Sequence, residues 1–138
     1  MKLTLTEIQN ISRSRSNRWH GGDMNSWSAL EWAGAMAGEA GEACNAAKKL
    51  KRLEDQIKSI NEGNRHYDAT DSDIAKLKAQ VAWEVADTVL YGVLVAQRVG
   101  LELAPFLIAA FNKKSEEYQF PERLGPDGPY LIDRPASI

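Results

Sequence analysis

The chain holds one cysteine, Cys44. A lone thiol makes neither an intrachain disulfide nor a cysteine-rich metal site, so a reducing cytoplasmic setting is expected, with Cys44 an inert buried thiol. Histidine is nearly as scarce, with only His20 and His66. Both fall in segments that read as loops, which removes the Glu-x-x-His pairs of a di-iron bundle. Proline is missing before Pro105, leaving the first three quarters of the chain free to be helical. Neither sign of charge dominates. Seventeen Lys+Arg face nineteen Asp+Glu, for a net −2, which argues against a dedicated nucleic-acid binder. The longest apolar run, Val89 to Ala96, is far short of the roughly 20 residues of a membrane helix. Met1 to Glu7 lacks the apolar stretch of a signal peptide. Strand signals are weak too: the one Asp-Gly pair, Asp127-Gly128, sits in a proline-rich tail.

What is present suits one domain. The 138 residues are 43% hydrophobic and 26% charged, enough for a core. Leu5, Ile8 and Ile11 are spaced for one face of a short first helix that opens at Thr6 and ends near the Ser-Arg run at 12–18. A long Ala- and Gly-rich helix is expected over about 27–54, capped by Asn25 or Ser26. Gly34, Gly38 and Gly41 inside it each cost about 1 kcal/mol against alanine; close helix approach or room for a ligand would explain them. Residues 55–72 are polar and read as a connecting loop. A third helix, capped by Ser72 or Asp73, runs to Val99, with Gly100 at its C′ position. A fourth spans about Leu103 to Glu117, with Pro105 in its first turn. Residues 1–124 form the expected domain and 125–138 an extended tail. The fold class is therefore all-α, of the four-helix-bundle type. The third helix is apolar around most of its circumference, which calls for a central position or a partner subunit; a homo-oligomer is expected.

Two pairs of acids break the apolar pattern. Glu39 and Glu42 lie among Ala and Gly, and Glu84 and Asp87 in the most hydrophobic part of the third helix. Each pair is i, i+3 and shares a helix face. No Lys or Arg lies one turn from Glu84 or Asp87, so the like charges of the third helix have no local compensation. A single such pair is ordinarily a solvated stripe. Two pairs inside apolar helices point elsewhere. If the helices pack antiparallel, four carboxylates converge on one spot, an oxygen-only donor set suited to Mg²⁺ or Mn²⁺.

Gly38-Glu39-Ala40-Gly41-Glu42, followed by Glu84-Val85-Ala86-Asp87, resembles the GE-x-GE … E-x-x-D signature of the MazG-like all-α NTP pyrophosphatases. That superfamily includes the dimeric dUTPases and the dCTP pyrophosphatases. Trp27-Ser28, Lys48-Lys49-Leu50, Asp87-Thr88-Val89-Leu90-Tyr91 and Phe111-Asn112-Lys113-Lys114 extend the similarity over about residues 5–124. Forty-one residues separate Glu42 from Glu84, more than in compact members; the excess falls in the 55–72 segment.

The resemblance implies a homodimer or dimer of dimers that binds Mg²⁺, with Mn²⁺ as a substitute. It implies hydrolysis of a nucleoside triphosphate to the monophosphate and pyrophosphate by water attacking the α-phosphorus. Glu39, Glu42, Glu84 and Asp87 become the catalytic metal ligands, with Glu39 a candidate base. Tyr91 matches an aromatic that contacts substrate, against the alternative of a core tyrosine. Lys48, Lys49, Asn112 and Lys113 are candidates for the phosphates, although lysines there are also ordinary surface residues. Trp19, Trp27 and Trp32 are candidates for stacking on the base, with His20 beside them. Trp83 is assigned to the core or a subunit contact. Arg13, Arg15 and Arg18 read as a solvated charge run more readily than as a phosphate clamp. Nucleic acid and membrane are not expected partners. The alternative is a non-catalytic nucleotide or metal sensor on the same bundle.

Overall fold

A computed structural model describes residues 3–19, 21–63 and 70–132. Among them are four α-helices: α1 (Leu5–Trp19), α2 (Ala29–Asn61), α3 (Asp71–Arg98) and α4 (Leu103–Glu117). A short 3-10 turn at Met24–Ser26 precedes α2. The chain then forms a two-stranded antiparallel sheet of β1 (Glu122–Gly125) and β2 (Gly128–Leu131). The all-α reading holds for everything except this C-terminal hairpin.

The helix starts follow their caps. Thr4 and Glu7 exchange hydrogen bonds at the start of α1, the Thr4 backbone N–H donating to Glu7 Oε2 at 2.8 Å. Ser28 and Glu31 form the same reciprocal box for α2, and Thr70 and Asp73 for α3. Each box satisfies amides that the first turn leaves without helical partners. The caps therefore sit at Ser28 and Thr70, not at Asn25, Ser26, Ser72 or Asp73. A Ser or Thr three residues before Glu or Asp outranks a nearer polar residue without that partner. Gly100 is at C′ as expected, with φ +76°, and Leu101 N–H donating to the Ala96 carbonyl at 3.0 Å.

Two stretches run longer than the sequence suggests. α1 continues through the Ser-Arg run to Trp19, and α2 continues to Asn61 through the first seven residues of the polar 55–72 segment. Polarity there marks a solvated helix, not a loop: Lys51 pairs with Asp55 one turn on. Residues 64–69, with His66, lie outside the described residues, as does His20.

The face of α1 is the expected one only in its first turns, where Leu5 and Ile8 are half-buried. Its buried residues are Gln9, Ser12 and Ser16, while Ile11 is 67% exposed. The helix docks through a polar stripe at i, i+3, i+7. Gln9 donates to the Leu101 carbonyl at 2.7 Å and accepts from the Leu103 N–H at 3.0 Å, fastening α1 to the turn between α3 and α4.

α2 and α3 are the main pair. Trp32 lies beside Tyr91 and Glu39 beside Glu84, so numbers rise along one helix as they fall along the other, and the pair is antiparallel. The core is small. Met24, Trp32 and Leu94 form its buried centre, with Trp27, Tyr91 and Val95 packed against it. Much apolar surface stays outside, including Trp83 (73% exposed), Val85 and Val89 on α3, and Phe106, Leu107 and Phe111 on α4. Trp83 is therefore not in the core of the chain. Cys44 is exposed as well, not buried.

Over its described part, residues 125–132, the expected extended tail joins a hairpin; residues 133–138 lie outside the described residues. Glu122 pairs with Leu131 and Gly125 with Gly128 around Pro126-Asp127. Gly128, at φ +130°, supplies a conformation other residues rarely adopt. Pro129 is tolerated because both strands are edges. Asn112 on α4 clasps β1: its Nδ2 donates to the Leu124 carbonyl at 2.9 Å, and its Oδ1 accepts from the Leu124 N–H at 2.8 Å.

Candidate active site

The acids that stood out in the sequence come together. Ligand oxygens of Glu39, Glu42 and Glu84 lie within 4.8 Å of one another. Burial and the neighbouring charges of Glu42, Asp87 and Glu84 raise the Glu39 carboxyl above its ordinary range. Asp87 is thus close enough to act on Glu39 electrostatically. The ion pairs among the described residues are Lys51–Asp55, Lys76–Asp73 and Lys114–Glu117; none of the four acids takes part in one. Three clustered carboxylates on two helices, with Asp87 nearby and no ion pair to any of the four among the described residues, match the donor chemistry of a hard divalent ion.

A cavity of about 790 Å³ opens beside them. It is lined by Glu39 and Asp87, by Trp19, Trp27, Trp32 and Tyr91, and by Arg15, Ser16, Leu90 and Leu94. Trp32 precedes Glu39 by seven residues on α2, about 10 Å along a helix. Tyr91 follows Asp87 by one turn on α3. The cavity thus has an acidic end and an aromatic end.

The aromatic end is built around Trp32. That side chain is 2% exposed, and its Nε1–H donates to the Met24 carbonyl at 3.2 Å. Its ring centroid is 4.7 Å from that of Trp27 and 6.2 Å from that of Tyr91, both tilted. Trp27 is held from the opposite side: Arg98 Nε donates to the Trp27 carbonyl at 2.8 Å. Asn17 Oδ1 accepts from the Met24 N–H at 2.8 Å, fixing the segment between α1 and α2. Trp19, 74% exposed, forms the rim.

All three tryptophans and Tyr91 therefore share one cavity. The phosphate candidates do not reach it in this chain. Lys48, Lys49 and Lys113 are exposed and lie outside its lining. Asn112 is engaged with the β1 backbone. Sequence reasoning passed over Ser16 and Arg98 and set Arg15 aside. A signal for α1 existed: in a helix that reaches Trp19, Arg15 is one turn before that tryptophan and on its side. Arg98 acts across 71 residues, and no local pattern announces it.

The glycines of α2 gain no explanation from packing within the chain. A methyl group added at Gly34, Gly38 or Gly41 meets nothing within 4 Å. Close helix approach inside this chain is therefore not their reason.

No protein-family model, curated protein or solved structure matches the chain.

Proposed function

We propose that this chain is a divalent-metal-dependent nucleotide pyrophosphohydrolase that converts a nucleoside triphosphate to the monophosphate and pyrophosphate. The supporting observation is the single cavity that joins a carboxylate cluster to an aromatic wall. A nucleotide has the same two-ended chemistry, with a flat base at one end and polyanionic oxygens at the other. Glu39, Glu42, Glu84 and Asp87 hold Mg²⁺, or Mn²⁺ in its place. The ion supplies charge neutralisation and Lewis acidity, without which four carboxylates would repel a triphosphate.

The remaining steps belong to the chain's own groups. Trp27 and Tyr91, backed by the buried Trp32, seat the base and sugar, so that the α-phosphorus lies at the acidic end. Glu39, on the cavity wall with Asp87, orients the attacking water and accepts its proton. Water oxygen bonds to the α-phosphorus, the bond to the α–β bridging oxygen breaks, and pyrophosphate departs with that oxygen. Removal of surplus or unwanted nucleotides from the cytoplasmic pool suits this reaction.

A homodimer or dimer of dimers completes the reading. Among the described residues Trp83, Val85, Val89, Phe106, Leu107 and Phe111 stand exposed on the single chain. The apolar faces of α3 and α4 supply surface for a second copy to cover. α3 is long and apolar enough to cross a membrane by length and composition, although its longest uninterrupted apolar run is short. Glu84 and Asp87 at its middle make a lipid environment costly, and assembly is the better use of that face.

The test is incubation with a panel of ribo- and deoxyribonucleoside triphosphates in Mg²⁺, Mn²⁺ or EDTA, with product identification. Monophosphate plus pyrophosphate, lost in EDTA, is the expected result. Metal-dependent nucleotide binding with no turnover would leave a sensor instead.

A further inference from the structure

The cavity contains one cation among its lining residues, Arg15. Its place along the cavity follows from how α1 is fastened. Gln9 bonds to Leu101 and Leu103 at the far end of α3. From there α1 runs back along α3. Ser16 is seven residues on from Gln9, about 10 Å, and Leu94 is the same distance back from Leu101. Arg15 and Ser16 therefore enter at the level of Leu94, Tyr91 and Trp32. That is the aromatic end, roughly two helical turns from Glu39 and Glu84.

A guanidinium at the phosphate end would be a charge clamp. At the base end it is a reader of base edges. It offers only donors, in a rigid fork. The matching edge has two adjacent acceptors, and N7 with O6 of a 6-oxopurine provides them. Adenine places an amino donor at position 6 against those donors; cytosine offers an acceptor pair of its own, N3 with O2, so base size must separate it from a 6-oxopurine. Uracil and thymine offer a single acceptor next to an N–H. Ser16, 2% exposed, adds a hydroxyl that donates or accepts and is small enough to leave room for a two-ring base. The half-buried indole of Trp27 provides an apolar face beside it, backed by the buried Trp32 at 4.7 Å between ring centroids.

We propose that Arg15 makes this site selective for 6-oxopurine nucleotides, those of guanine and hypoxanthine. The inference rests on the pyrophosphohydrolase reading for its assay but not for its chemistry, so the two are tested separately. The experiment compares kcat/KM for GTP, dGTP, ITP, ATP, CTP and UTP in Mg²⁺, for the unaltered protein, Arg15→Met and Arg15→Lys. Calorimetric binding of GTP and ATP runs in parallel. The expected preference of GTP and ITP over ATP is about ten- to a hundredfold, the worth of one bidentate base contact. Arg15→Met should collapse that ratio toward one. Arg15→Lys, which keeps the charge but loses the fork, should collapse it too. A uniform loss across all nucleotides in Arg15→Met, rescued by Arg15→Lys, would overturn the proposal and make Arg15 a phosphate clamp. A preference for ATP, CTP or UTP in the unaltered protein would also overturn it. If no triphosphate is turned over, GTP selectivity in calorimetry that Arg15→Met abolishes still supports it, and equal binding of GTP and ATP refutes it.

Discussion

Two carboxylates on α2, eight residues apart, behave in opposite ways. Glu31 accepts from the backbone and hydroxyl of Ser28, and these donors hold its carboxyl below the ordinary range. Glu39 has burial and three like charges around it, and its carboxyl is pushed up. One acid finds its partners inside the chain and supports the fold. The other is short of partners and puts stress on the fold. The contrast separates structural from functional charge better than residue type does. An anion whose donors are all internal has no reason to bind anything. A cluster that raises its own proton affinity is equally ready to take up a divalent cation.

The contrast can be broken most severely at Asp87. Asp87→Asn removes one charge from the cluster without changing shape. Pyrophosphate release should fall to background while the helical circular dichroism is kept; full activity would remove Asp87 from the site. The opposite break is at the cap. Ser28→Ala removes the hydroxyl that donates to Glu31 and accepts from the Glu31 N–H, leaves the residue-28 backbone N–H in place, and should cost about 1 kcal/mol of stability. In a domain of this size that is roughly 3–6 °C in melting temperature, with activity per folded molecule intact.

The α2 glycines sharpen the comparison further. Gly38→Ala adds a methyl group that meets nothing in the chain and should raise stability by up to about 1 kcal/mol through helix propensity. Stability that rises while kcat/KM falls would show that the open space serves a ligand or a second copy. Unchanged activity would leave that glycine without a role in the site.

The smallest effect is on pH dependence. The folded-state carboxyl of Glu31 titrates below 4.5, so its contribution is present above that pH and is lost as the solution is acidified through the lowered value. Glu39 titrates above 4.5 when folded. The folded state there binds the extra proton, so its penalty grows as pH rises through the raised value. Glu39→Gln should therefore raise the melting temperature of metal-free protein at pH 7 by a degree or two, roughly the worth of one like-charge pair. Added Mg²⁺ should reverse that order, because only the native cluster gains stability from the ion.

The sequence showed the acids plainly, because Glu84 and Asp87 interrupt a run of Val, Leu and Ala. α4 and Gly100 were equally legible, since Pro and Gly act locally. The face of α1 was legible only in its first turns. Periodicity weighs apolar residues, and Ile11 is exposed while Gln9, Ser12 and Ser16 are buried. That preference depends on α3 and on the Leu101–Leu103 turn, which a local reading of α1 does not see. The hairpin was hidden by its prolines. Asp127-Gly128 is an ordinary turn signal, outvoted by Pro126 and Pro129 until the pairing of Leu124 with Pro129 places them at an edge. Arg98 was missed because it works across 71 residues of chain, and Arg15 was weighed only as part of a charge run because α1 was expected to end near it.

The polar underside of α1 has a consequence for motion. Helices held by Leu or Phe release only when much of the core releases with them. α1 buries Gln9 and two serines, adds the Asn17 link to Met24 and only half-buries Leu5 and Ile8, and water replaces the polar contacts at modest cost. Its amide protons should therefore exchange with solvent ahead of those in the middle of α2 and α3. Because Arg15, Ser16 and Trp19 travel with it, each such opening removes one wall of the cavity at a stroke, and the rate at which α1 swings clear sets an upper limit on how fast a bound molecule can leave past that wall.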